Sequence, residues 1–71
     1  MIIKIKGQAF KRNTNTKIGK ARWVTIDTEK NELFFNVSNL ESAKQVFENF
    51  WNNLNPHSPE IVKCIDIKKI K

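Results

Sequence analysis

The sequence predicts an α+β fold: a single small domain, residues 1–71, with one helix packed on an antiparallel or mixed four-stranded sheet in the order βββαβ. Three observations predict it. Both ends alternate β-branched and polar residues with period two. The middle carries apolar residues at helical spacing. A helix-capping pattern sits where one period gives way to the other.

Ile2-Ile3-Lys4-Ile5-Lys6 alternates and is rich in Ile, so it reads as the first strand, with Gly7 as a bulge or its end. Lys11 to Lys20 is polar, basic and aperiodic, which reads as a long hairpin loop. Arg22 to Ile26 is the second strand. Asp27 to Asn31 is a turn of residues whose side chains bond nearby backbone. Glu32 to Val37 alternates again and is expected to form a third strand. Ser38 with Glu41 three residues on forms a capping box, which satisfies two backbone donors at a helix start. Leu40, Ala43, Val46, Phe47, Phe50, Trp51 and Leu54 then form one apolar stripe, predicting a helix over Asn39 to Leu54. The prolines of Asn55-Pro56-His57-Ser58-Pro59 stop it. Ile61 to Ile70 alternates and closes the sheet as a fourth strand.

A chain of this size buries only about 60% of its unfolded surface, so a modest stability is expected. Cys64 is the only cysteine, so no internal disulfide forms and a reducing cytoplasm is the expected setting. No apolar run approaches the roughly 20 residues that span a bilayer. The first ten residues alternate Ile with Lys, so they are not expected to act as a signal peptide. Lys, Asn and Ile make up 29 of 71 residues. Their codons are AT-rich, which points to an AT-rich bacterium, a phage or a mobile element, and codon bias accounts for part of the lysine excess.

The net charge of +6 is unevenly placed. Met1 to Arg22 holds seven cations and no acid, Trp23 to Val62 nets −4, and Lys63 to Lys71 nets +3. Basic ends around an acidic middle favour a phosphate-rich partner. With one helix covering one sheet face, the apolar parity turns inward: Ile3, Ile5, Val24, Ile26, Leu33, Phe35, Val37, Ile65 and Ile67. The other parity presents Lys4, Lys6, Gln8, Trp23, Thr25, Phe34 and Asn36. Cations there neutralise phosphates, while aromatics and amides meet bases. In the competing reading, Trp23 and Phe34 form a cross-strand pair that staples the sheet.

Gly19-Lys20-Ala21-Arg22-Trp23-Val24-Thr25-Ile26, then Phe35, then Ser38-Asn39-Leu40-Glu41-Ser42-Ala43 resembles the small βββα DNA-binding domains. These include the arm-binding domains of tyrosine recombinases and the plant AP2 domain. The resemblance spans Gly19 to about Trp51. It implies a three-stranded sheet laid in the major groove of double-stranded DNA. The last strand has no counterpart in those families, and further base-reading arginines are missing from the second strand.

Catalytic chemistry finds little support. His57, the single histidine, lies in a Pro-flanked loop beside Ser58, without the third group and the oxyanion donors of a triad. Cys64 lacks zinc-type spacing and reads as a buried small hydrophobe. Glu41 caps the helix, and Glu48 is read as solvated. No catalysis, metal or cofactor is expected. The sequence therefore leads to a non-catalytic nucleic-acid-binding domain, with double-stranded DNA first. Lys4, Lys6, Lys11, Arg12, Lys17, Lys20 and Arg22 supply phosphate contacts, and Trp23 and Phe34 contact bases or sugars where exposed. The alternative is a small protein-binding module or inhibitor, of phage or host-directed type, without nucleic acid. In either case the chain is expected to be a monomer or small homodimer with no membrane contact. Trp51, at the edge of the helical stripe, is a candidate anchor for a protein partner.

Overall fold

In the computed structural model, which describes residues 1–71, the chain runs strand, strand, 3-10 turn, helix, strand. Strand β1 spans Ile2–Lys11, β2 spans Lys17–Asp27, α1 spans Leu40–Leu54 and β3 spans Glu60–Lys69. The sheet has three strands in the order β2-β1-β3, and both pairings are antiparallel. The α+β class is as expected. The four-stranded sheet and the βββαβ order are not, because the segment expected as a third strand is a 3-10 turn over Glu32–Phe34.

The cause is local. The Asn31 side chain accepts from the Leu33 backbone N–H at 3.0 Å, a bond that a strand cannot make. Phe34 N then donates to Asn31 O, and Val37 N to Phe34 O. A period of three replaces the period of two. Phe34 and Val37 therefore share a side: Phe34 is buried and Val37 packs against the core. Leu33 and Phe35, expected inward, are exposed.

The hairpin loop is also shorter than expected. β1 continues to Lys11, and β2 starts at Lys17. Asn15 makes the turn with a φ of 57°, a conformation that Asn tolerates better than most residues. Helix α1 agrees closely with its expected range. Its N-cap is Asn39 rather than Ser38, however, with Asn39 Oδ1 accepting from Ser42 N at 2.8 Å.

The core consists of Ile3, Ile5, Ile26, Phe34, Ala43, Phe47 and Cys64. Each fully buried Ile contributes about 1.5–3 kcal/mol. Phe47 lies on Gly7 of β1, where an added Cβ would stand 2.9 Å from its Cζ. Glycine is required at that point by the close approach of the ring. Side chains of α1 also bond the outer edge of β3. Asn52 Oδ1 accepts from Val62 N at 2.8 Å and Asn52 Nδ2 donates to Val62 O at 3.0 Å. Glu48 Oε2 accepts from Cys64 N at 2.8 Å, so Glu48 is a structural ligand of the strand and not a solvated charge.

Two irregularities interrupt the ladders, and the one-residue bulge in β3 resets its side-chain parity. Between β1 and β2, Gly19-Lys20-Ala21 face Gln8 alone, and Gly19 has a φ of 67°. Between β1 and β3, Ile65 is the extra residue between the Lys6–Asp66 and Gly7–Cys64 pairs. Such bulges bend a strand and leave one residue unpaired. Cys64 and Ile67 turn inward as a result, while Ile65, expected inward, is exposed. Val24 faces inward opposite Ile5, as expected, but is 41% exposed because it borders a cavity beside Phe47 and Trp51.

Candidate nucleic-acid interface

The sheet face opposite α1 is open, and the register fixes its occupants. Lys4 pairs with Thr25 and Lys68, and Lys6 pairs with Trp23 and Asp66. Gln8 pairs with Lys63, and Phe10 with Ile61 and Lys17. Directly opposed residues of an antiparallel pair share a face. Trp23, Lys4, Lys6, Lys63 and Lys68 thus stand on one surface, drawn from all three strands.

Trp23 is the centre of this surface. It is 42% exposed. Lys6 Nζ lies 5.7 Å from its ring centroid, and Lys68 Nζ lies 5.0 Å from it. A second pair has Lys63 Nζ 5.1 Å from the Phe10 centroid. Each cation–π contact contributes about 0.5–1 kcal/mol at an exposed site. The ammonium groups are held near aromatic rings and are not neutralised. The single ion pair within 4.0 Å in the structure joins the N-terminal amine to Glu29, away from these lysines. Asp66, the acid opposite Lys6, directs Oδ1 to the Ile67 N–H at 2.9 Å.

The structure divides the other predicted residues. Lys4, Lys6, Trp23 and, by register, Lys17 belong to the open face. Lys11 lies at the end of β1 opposite Glu60. Arg12 is in the hairpin loop and donates from Nε to Ser58 O at 3.1 Å. Lys20 and Arg22 lie on the other side, where they border a cavity with Phe47 and Trp51. Phe34 is 3% exposed in the core and does not belong to any binding surface, which corrects its expected place. The 3-10 turn removes it from the sheet.

Gln8 is corrected too. It is buried, and its Nε2 donates to Ala9 O, Ile18 O and Gly19 O, filling the bulge. Its amide donors are thereby committed to the fold and not to bases. Phe10, Lys63 and Lys68 were missed by sequence reasoning. The signal was the basic last strand, but its use required knowing that β3 lies beside β1.

Titratable chemistry is sparse. His57 is exposed in the turn after α1. No group of three His, Cys, Asp or Glu residues is placed to hold a metal ion. Burial raises the Cys64 thiol above its ordinary value of 9.0, and the neighbouring Glu48 carboxylate adds to the effect. Cys64 Sγ donates to Asp66 O at 3.3 Å, which suits a protonated thiol. The linkage follows from the raised value. The folded state holds this proton more tightly than the unfolded chain, so the contribution is complete below the ordinary thiol value. It is lost as pH rises above that value towards the folded one. Urea midpoints of the native protein and Cys64→Ala, compared from about pH 7 to about pH 10.5, should show a steeper alkaline loss in the native protein. Equal slopes would place the thiol in solvent.

No family model matches the chain, and no curated protein or solved structure matches it significantly.

Proposed function

We propose that the chain binds nucleic acid without catalysis, through the open face of its sheet, and that the preferred form is single-stranded. The observation that carries this reading is Trp23 with Lys6 Nζ 5.7 Å and Lys68 Nζ 5.0 Å from its ring centroid, on a face where no lysine has a carboxylate within 4.0 Å. Single-strand binders combine an aromatic on which a base stacks with cations that follow the phosphates. Lys4, Lys63 and Lys68 surround Trp23 and Phe10 in this way.

The preference for a single strand over the double-stranded DNA expected from sequence rests on the side chains of this face. Reading a duplex in the major groove is best served by planar bidentate groups such as Arg, Asn or Gln at base edges, whereas the lysines of this face are point charges suited to phosphates. Arg22 lies on the other side of the sheet and the Gln8 amide is already bonded. The ring faces of Trp23 and Phe10 gain a partner only when bases are unstacked.

Fluorescence titration of Trp51→Phe, which leaves Trp23 as the sole indole, tests the reading. Labelled single-stranded DNA, RNA and duplex should be compared at two salt concentrations. Quenching by the single strands is expected, and Trp23→Ala should weaken binding by about 1–3 kcal/mol, or about 5- to 150-fold. Lys6→Gln with Lys68→Gln should lower the salt slope by about 1–1.5. Tighter duplex binding that survives Trp23→Ala would restore the duplex reading. No binding by any form below roughly 10⁻⁴ M would give way to the protein-binding alternative.

A further inference from the structure

We infer that the cavity between β2 and α1 binds a small carboxylate with an apolar tail, the tail against Val24 and Trp51 and the carboxylate at Lys20 and Arg22. This inference does not depend on the nucleic-acid reading. The cavity lies on the helix side of the sheet, and Trp23 lies on the other.

The register sets up the site. Arg22 pairs with Gly7 and Val24 with Ile5, so both side chains point to the side that α1 occupies. The helix packs against β3 rather than β2, which leaves the helix side of β2 uncovered beside Phe47 and Trp51. The bulge at Gly19-Lys20-Ala21 is fixed by the Gln8 amide, which donates to Ile18 O and Gly19 O. It brings Lys20 to the same cavity. Apolar walls and cations thus share one side of one strand.

The cavity measures about 490 Å³. Small-molecule sites run from about 300 to about 1,000 Å³ and are mostly apolar, with a few polar groups that fix orientation. Val24, Phe47, Trp51 and Val62 form the apolar wall here. Val24 is 41% and Trp51 46% exposed, so both have apolar surface left to cover.

Charge selects the ligand. Lys20 and Arg22 border the cavity, and no acid does. Neither cation has a carboxylate within 4.0 Å. The side-chain cations that bond a protein acceptor are Arg12 and Lys63, so the donors of Lys20 and Arg22 are free. Glu48, the acid of the Phe47–Trp51 helix turn, is tied to the Cys64 N–H and faces β3. A guanidinium matches a planar carboxylate with two parallel bonds, and an ammonium adds a point charge. An apolar ligand without an acid would leave both cations unanswered, and a cationic one would be repelled.

The test is a titration of ¹⁵N-labelled protein with octanoate, 1-octanol and octylammonium, three ligands with one tail and different head groups. Amide and indole spectra follow the binding. Octanoate is expected to bind with a Kd of about 1 mM or tighter, at least about tenfold better than the other two. The Trp51 indole N–H should shift, and the Trp23 indole N–H should not. Hexanoate should bind roughly two- to fourfold more weakly for each CH₂ it lacks, and acetate, which has no tail, should cause no shift at Trp51. The double variant Lys20→Gln, Arg22→Gln alters two exposed side chains, and its unchanged amide dispersion would confirm its fold. It should lose about tenfold in affinity for octanoate and none for octanol. Equal binding of the three head groups, shifts centred on Trp23, an octanoate affinity untouched by the double variant, or no shift at about 10 mM octanoate would each overturn the proposal.

Discussion

Replacing Phe47 by Ala should destabilise the fold by about 3–5 kcal/mol, the usual cost of removing a buried aromatic ring. A domain of this length has about 4–10 kcal/mol in total, so much of the population would unfold. The size of the effect follows from the thinness of the core, which has seven buried apolar residues. Phe47 is 5% exposed and spans the layers by resting on Gly7. Its ring also meets Trp51 edge-on, with centroids 6.5 Å apart. The surrounding structure relaxes only partly around such a cavity, which adds to the cost. Phe50, on the same helix, is 38% exposed, and Phe50→Ala should cost about 1 kcal/mol. Urea unfolding followed by circular dichroism reads both. Similar midpoints for the two variants would contradict the assigned helix face.

The helix was legible because its signal was redundant. The apolar stripe, the polar cap and the terminal prolines all agreed, so an error of one residue in the cap did not move it. Glu32 to Val37 shows the opposite case. In Leu33-Phe34-Phe35-Asn36-Val37 a period of two and a period of three can both be read. One hydrogen bond from Asn31 decides between them. Deciding for the turn exchanged the roles of Phe34 and Phe35: Phe34 entered the core, and Phe35 became 70% exposed.

The open face was legible in part for a related reason. Parity placed Lys4, Lys6 and Trp23 together correctly, since all three lie before the irregularities in the β1–β2 ladder. Beyond them, alternation no longer tells one face from the other. Gln8 is buried by its bonds across the bulge, and Ile65, the extra residue of β3, is exposed. Lys68 reaches Trp23 across the central strand, a contact that follows from the strand order β2-β1-β3 and from nothing local in the sequence. Long-range order therefore completes the cationic aromatic surface, while short-range alternation only begins it.

Removing the side-chain cover of β3 should produce the second large effect. In Asn52→Leu, the N–H and C=O of Val62 both lose their partner, and leaving partly buried backbone groups unpaired costs about 1–3 kcal/mol. Leu has a similar branched shape and a higher helix propensity than Asn, so the loss reports the bonds and not a cavity or a weakened helix. Asn52→Asp separates the two bonds. Its carboxylate can still accept from Val62 N but cannot donate to Val62 O, so an intermediate cost is expected. Adding Glu48→Ala to Asn52→Leu also frees the Cys64 N–H and exposes a continuous run of strand edge. An open edge invites pairing with another chain. The double variant should therefore associate with rising concentration in sedimentation velocity, whereas the native protein should not associate through this edge. Destabilisation without association would mean that the twist or charge of β3 protects it unaided. Association that follows the loss of these two side chains would identify them as the reason this edge stays unpaired.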